Sequence, residues 1–136
     1  MTRRFILLSA LLSAHLAGAE PKGGASPKRT LRARLIAPVE DPVRVRDEQG
    51  DEYVLELDVD GTHTLHDPIL VDRMWEFEGR RTPEGRFEVS KMFTIKDGVR
   101  HKVTYYCEVC HIVSFRPGLC MCCQDDVALQ ETAEQE

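Results

Sequence analysis

No cysteine occurs before position 107, and no apolar run beyond residue 16 approaches the length of a membrane span. Such a span needs about 20 apolar residues, so the body of the chain contains no transmembrane segment, and even the early run Phe5–Leu16 is too short to be a stable anchor. The missing cysteines exclude a disulfide framework through most of the chain. Basic residues are also scarce, with 18 Lys and Arg against 23 Asp and Glu and a formal charge of -5. Phosphate binding requires a basic footprint, so a general nucleic-acid surface is not expected. The one basic-biased stretch, Lys22 to Arg46, reads as a solvated linker and strand face. There is no glycine-rich phosphate loop and no nucleophile elbow, so the sequence gives no reason to expect an enzyme.

The start of the chain, MTRRFILLSALLSAHLAGA, has the three parts of a secretory signal peptide. Arg3 and Arg4 supply the basic start, Phe5–Leu16 the apolar run, and Ala17-Gly18-Ala19 the small-residue cleavage site. TRRFIL also loosely resembles a twin-arginine export signal, which would carry an already folded protein. Cleavage after Ala19 leaves 16 basic and 23 acidic residues, a charge of -7. The mature protein is therefore expected in the periplasm or outside the cell, with no membrane attachment. Residues 20–30, rich in proline and glycine, read as a flexible leader.

From Leu31 the apolar residues recur every second position, the period of a half-buried strand. Leu31, Ala33, Leu35 and Ala37 alternate with Arg32 and Arg34. Tyr53, Leu55, Leu57 and Val59 alternate with acidic residues, and Trp75 and Phe77 with Glu76 and Glu78. Phe87, Val89, Phe93 and Ile95 form one expected face, and Val99, His101, Val103 and Tyr105 another. DEQGD, DVDGT, TPEGR and KDGV carry turn chemistry between these runs, predicting an antiparallel meander. Trp75 is expected as a core anchor. The one notable helix signal is HDPILVD, where Asp67 caps and Pro68 opens a turn; the segment from Gln124 onward is the only other helix candidate. His63 and His66, read as strand or loop-edge residues, point to opposite faces and do not make a ligand pair.

Five or six short strands cannot bury their faces as one open sheet, so they require a second layer or closure. LVDRMWEFEGRRTPEGRFEVSKMF resembles the later strands of an OB-fold barrel, a likeness that implies architecture and no activity. The expected fold class is mainly β: a small antiparallel OB-like barrel over 31–103, a C-terminal zinc-ribbon-like knuckle over 104–130 and an acidic disordered tail over 131–136.

The knuckle holds the whole cysteine supply within YYCEVCHIVSFRPGLCMCC. Cys107-x2-Cys110 and Cys120-x2-Cys123 form two hooks separated by nine residues, with Cys122 as an extra thiol. Two such hooks brought together supply the four soft ligands of a tetrahedral zinc ion. Pro117 and Gly118 supply the bend that returns the second hook. A segment of this size has too little core to fold alone, and bound metal can contribute the missing free energy.

YYCEVCHIVSFRPGLCMCCQDDVAL resembles small heavy-metal-binding domains whose pattern is Tyr-x-Cys-x-x-His, a short loop, then Pro-Gly-x-Cys-x-x-Cys. Tyr105, Cys107, Pro117, Gly118, Cys120 and Cys123 match, and Cys110 stands where the family has histidine. That exchange keeps a zinc ligand and makes the site softer, admitting copper(I). Where the family has glycine and methionine after the last cysteine, this chain has Gln124 and Asp125. The resemblance covers about 25 residues and implies metal binding by Cys107, Cys110, Cys120 and Cys123.

Two other chemistries compete for the cluster. CEVCH satisfies the attachment pattern of c-type haem, with thioethers on Cys107 and Cys110, His111 as proximal ligand and Met121 as the second axial ligand. That reading implies electron transfer, but leaves three cysteines unused and little chain to wrap the haem. Disulfides, Cys107 with Cys123 or Cys110 with Cys120, suit an exported protein but leave an odd thiol. They would make the chain a stapled binding module, whose barrel face takes a protein, peptide or glycan partner. A thiol redox role lacks an activating cause, since no helix begins at Cys107. The sequence thus favours a non-enzymatic metal-binding protein, with the metal either structural or carried as cargo, and His111 and Cys122 as spare donors.

Overall fold

The computed structural model describes residues 26–135, and the proposed signal peptide lies outside them. The alternating pattern produces β1 (Arg29–Leu35), β2 (Arg44–Asp47), β3 (Glu52–Glu56), β4 (Met74–Arg81), β5 (Phe87–Lys96) and β6 (Val99–Cys107). Two further strands, β7 (Ile112–Ser114) and β8 (Ala128–Ala133), follow within the cysteine-rich region and after it. The protein is mainly β, and its pairings are antiparallel except for one.

That exception closes a ring. β1 pairs with β2 and β4, β2 with β3, and β4 with β5, while a parallel contact at Leu55–Phe87 and Glu56–Glu88 joins β3 to β5. The inward residues fill the enclosed space: Leu31, Ala33, Val45, Leu55, Trp75 and Phe77 are all buried. Trp75 is the core anchor its alternation predicts, completely buried and stacked on Phe77 with ring centroids 5.9 Å apart. β6 leaves the ring at the end of β5 and carries β7 and β8 on opposite edges. The region expected as a separate knuckle is thus continuous with the ring through β6.

Five local expectations are corrected. DVDGT is no turn: it opens α1 (Val59–Leu65), because the Asp58 carboxylate accepts a 2.7 Å hydrogen bond from the Gly61 N–H and caps the first turn. Val59 is accordingly exposed rather than inward. His63 and His66 fall on α1 and its C-cap instead of on a strand. The chain after Gln124 is not helical, and 131–136 is not wholly a tail, since Ala128–Ala133 pairs with β6 as β8.

The fifth correction concerns β5. Glu78 pairs with Lys91 but Gly79 pairs with Val89, so Ser90 is an extra residue in a β-bulge. A bulge reverses which side chains face inward beyond it. Phe87 and Val89 stay with the core, but Met92 takes the inward position opposite Phe77. Phe93 and Ile95 turn to the other face, where Phe93 pairs with Glu76 and lies under the Arg100 guanidinium, 3.8 Å from its ring centroid. The bulge brings the chains so close that a Cβ on Gly79 would lie 1.9 Å from the Glu88 carbonyl oxygen.

The turn predicted at Asp67–Pro68 forms, as a 3-10 turn over Pro68–Leu70 capped by Asp67. Asp67 is buried and accepts hydrogen bonds from the Ile69 N–H at 3.1 Å and the Tyr105 hydroxyl at 2.7 Å. This contact pins β6 two residues before Cys107. On the far edge, Arg73 at 3.2 Å and Lys96 both pair with Glu131 of β8.

Candidate metal centre

β6 delivers Cys107 to a buried position, and the chain then turns through Glu108–His111 before returning as β7. The His111 N–H donates to the Cys107 carbonyl at 2.8 Å, and His111 has a left-handed backbone with φ 56°. The second hook is built the same way. The Gln124 N–H donates to the Cys120 carbonyl at 3.0 Å, and Gln124 has φ 65°. Glycine takes this conformation without steric cost, and here glutamine occupies it. Its side-chain amide donates back to the Cys120 carbonyl at 3.2 Å.

The loop bearing the second hook closes on itself. Gly118, at φ 103°, accepts from the Val127 N–H at 3.0 Å, the Cys120 N–H donates to the Asp125 carbonyl at 2.8 Å, and Leu119 bridges Asp126. Val127 leads directly into β8, so both hooks are anchored to β6, one by direct continuation and the other through β8. Pro117 and Gly118 stand at the predicted bend.

These two turns bring Cys107, Cys110, Cys120 and Cys123 together, with all four sulfur atoms within 4.8 Å of one another and Cys107 Sγ 3.5 Å from Cys123 Sγ. A regular tetrahedron of Zn–S bonds of about 2.3 Å has edges of about 3.8 Å, so the donor set fits a single tetrahedral ion. Each hook also directs a backbone N–H at a sulfur: Cys110 N–H to Cys107 Sγ and Cys122 N–H to Cys120 Sγ, both at 3.4 Å. Such donors stabilise negative charge on sulfur, and the thiolate is the metal-binding form. At Cys120 the N–H groups of Cys123 and Cys122 pull the thiol down to about 7. Hydrogen bonding among the crowded thiols, led by Cys122 and then Cys123, raises Cys110. Four adjacent thiolates repel one another, and a divalent cation removes that conflict.

All five cysteines are free, so neither expected disulfide is present. Cys122 is exposed beside the cluster and outside the four-sulfur set. His111 and Met121, the axial ligands of the haem reading, are both exposed, and His111 Nδ1 lies 2.7 Å from the Tyr106 hydroxyl. His63 and His66 do not join the cluster; His66 Nδ1 lies 2.7 Å from the Thr62 carbonyl within α1. The four converging cysteines were legible in the sequence. Of the two positions that shape the hooks, Gln124 carried a signal, because the resembling domains have glycine there, whereas His111 carried only its placement one residue after Cys-x-x-Cys. The Tyr105–Asp67 bond left no local pattern, since its partners are 38 residues apart.

Comparison with family models, curated proteins and solved structures finds no match for this chain, so the likeness to heavy-metal-binding knuckles stands on the local pattern and on this geometry.

Proposed function

We propose that the protein is an exported, non-enzymatic zinc-binding protein, with one ion held by Cys107, Cys110, Cys120 and Cys123 as a structural staple. The observation that carries this reading is the convergence of four sulfurs from two similarly built hooks. Four protein donors complete a tetrahedral shell and leave no position for water or substrate, as in structural rather than catalytic zinc sites. The surrounding segment also lacks a core of its own, since Val109, Ile112, Val113, Leu119 and Met121 are exposed while Cys107 and Cys120 are buried. A bound ion would supply the folding free energy those residues do not. The donor set also admits copper(I), which shares the preference for thiolate.

The scaffold is best read as an OB-like barrel continued into a zinc-ribbon-like knuckle. Supporting this are the ring order β1-β2-β3-β5-β4 and the placement of α1 between β3 and β4. Haem is disfavoured because Cys107 is buried against Cys123 in the four-sulfur cluster and His111 Nδ1 is engaged with the Tyr106 hydroxyl. Cys122 and His111 are the donors a cargo-handling site would use, and in this reading they stay outside the metal shell. The N-terminal signal-peptide pattern supports export to the periplasm or medium. No helix among the described residues is long and apolar enough to cross a membrane.

Metal analysis of the mature protein purified under reducing conditions tests the reading. The expected result is about one equivalent of zinc, with four thiols protected and Cys122 reactive. A covalently retained haem band, or metal-free protein with two bridges, would overturn it.

A further inference from the structure

The pairing of β6 is uneven. One edge carries β8 from His101 to Tyr106, but the other pairs with β5 only through Val99–His101 and with β7 only through Tyr105–Cys107. Lys102, Val103 and Thr104 therefore have no strand neighbour on that side. β5 has a matching gap. β4 runs along one edge, while the other meets β3 at Phe87 and Glu88 and β6 at Thr94–Lys96, leaving Val89–Phe93 open. The two open stretches flank a cleft of about 390 Å³. Leu57, Met92 and Val103 give it an apolar lining, and Phe115 of the cysteine-rich segment forms one wall. That wall is tied to α1, since the Thr64 hydroxyl donates to the Phe115 carbonyl at 2.6 Å.

The charges at the cleft are unbalanced. Its acidic residues have partners other than the lysines: Asp58 caps α1, Asp60 pairs with Arg116 at 3.2 Å, and Glu134 shares Arg100, at 3.3 Å, with Glu76 and Glu78. Among the described residues Lys28 pairs with Glu78 and Lys96 with Glu131. The two remaining described lysines, Lys91 and Lys102, have no ion-pair partner there, and both line this cleft. Two uncompensated cations beside an apolar floor favour an anionic ligand with apolar parts. The open main-chain groups of β5 favour a ligand with a main chain of its own, because an unpaired strand edge is completed by an added strand.

We propose that the cleft binds an extended acidic peptide segment by strand addition to the open Val89–Phe93 edge of β5. Side chains of an added strand alternate between faces. Met92 and Val103 belong to the core face, so the flanking strand residues Lys91 and Lys102 lie on the opposite one. The recognised pattern is therefore apolar-acidic-apolar, with the carboxylate near the lysines and its neighbours directed at Met92 and Val103. This site is separate from the four-cysteine centre and does not depend on which metal that centre takes.

Calorimetry with the metal-loaded mature protein and acetyl-Val-Glu-Val-Glu-Val-amide, together with amide exchange, tests the proposal. The acidic peptide is expected to bind and to slow exchange in Val89–Phe93. A lysine-for-glutamate peptide, and an acidic peptide N-methylated at alternate amides, should each bind at least about tenfold more weakly. The double substitution Lys91→Gln with Lys102→Gln should abolish the preference for the acidic peptide over the lysine-for-glutamate one, and it avoids placing a carboxylate opposite Glu78 in the β4–β5 ladder. The proposal is overturned by failure of the acidic peptide to bind, by equal binding of either control peptide, or by exchange protection confined to another part of the surface.

Discussion

Replacing Tyr105 with phenylalanine removes one oxygen from the interior and leaves the ring packing intact. Tyr105 is 2% exposed and its hydroxyl donates to the buried Asp67 carboxylate at 2.7 Å. A hydrogen bond to a charged group contributes about 1.5–3 kcal/mol, and loss of the donor leaves the carboxylate to be satisfied by the Ile69 N–H alone. We expect a loss near 2 kcal/mol at neutral pH, read from urea unfolding as a lower midpoint with an unchanged slope. The pH dependence gives a second readout. Burial first, then the hydrogen bond to Asp67, raises the tyrosine pKa above its ordinary 10.0. The folded state therefore favours the neutral phenol. This contribution is fully present below pH 10 and is lost as pH rises towards the folded value. The difference between the two proteins should be constant from pH 7 to 9 and shrink above about 10. A loss under about 0.5 kcal/mol, or a difference that grows with alkalinity, would refute the reasoning.

Three further outcomes follow from other parts of the fold. Gly79→Ala should destabilise by about 1–3 kcal/mol in chemical unfolding, because the added methyl group meets the Glu88 carbonyl at the bulge. Burial of Glu131 opposes its ionisation, but hydrogen bonds from Lys96 and Arg73 outweigh that and hold its carboxyl below the ordinary 4.5. Its contribution is therefore present above about pH 4.5 and lost as pH falls through the lower folded value; Glu131→Gln should remove about 1–3 kcal/mol at pH 7 and flatten the acid limb of the stability profile. Cys110→Ser or Cys123→Ser should weaken zinc retention against a chelator by at least about tenfold, whereas Cys122→Ser should leave it unchanged.

Much of the ring was legible in the sequence because a half-buried strand writes its burial as alternation, and Leu31–Leu35 and Trp75–Phe77 did so clearly. Reading failed where one residue changed the phase. Nothing local marks Ser90 as the extra residue of a bulge, since the bulge exists only in the register against Glu78 and Gly79. Val59 continued the strand alternation, yet the Asp58 cap turned the following residues into α1. Ala128–Ala133 carries little apolar content, and its place as β8 is set by pairing with β6 and by the ion pairs of Glu131 with Arg73 and Lys96. The four cysteines of the candidate metal centre were legible from their spacing, and the glycine position held by Gln124 from the resemblance. The left-handed turn at His111 and the long-range Tyr105–Asp67 bond were not, because they belong to the folded chain.

X-ray absorption at the zinc edge of the protein loaded with one equivalent of zinc tests the central claim most directly. The account predicts a first shell of four sulfur scatterers at about 2.3 Å, unchanged in Cys122→Ser and reduced to three in Cys110→Ser. A shell dominated by nitrogen or oxygen, or one that loses a sulfur when Cys122 is replaced, would contradict it.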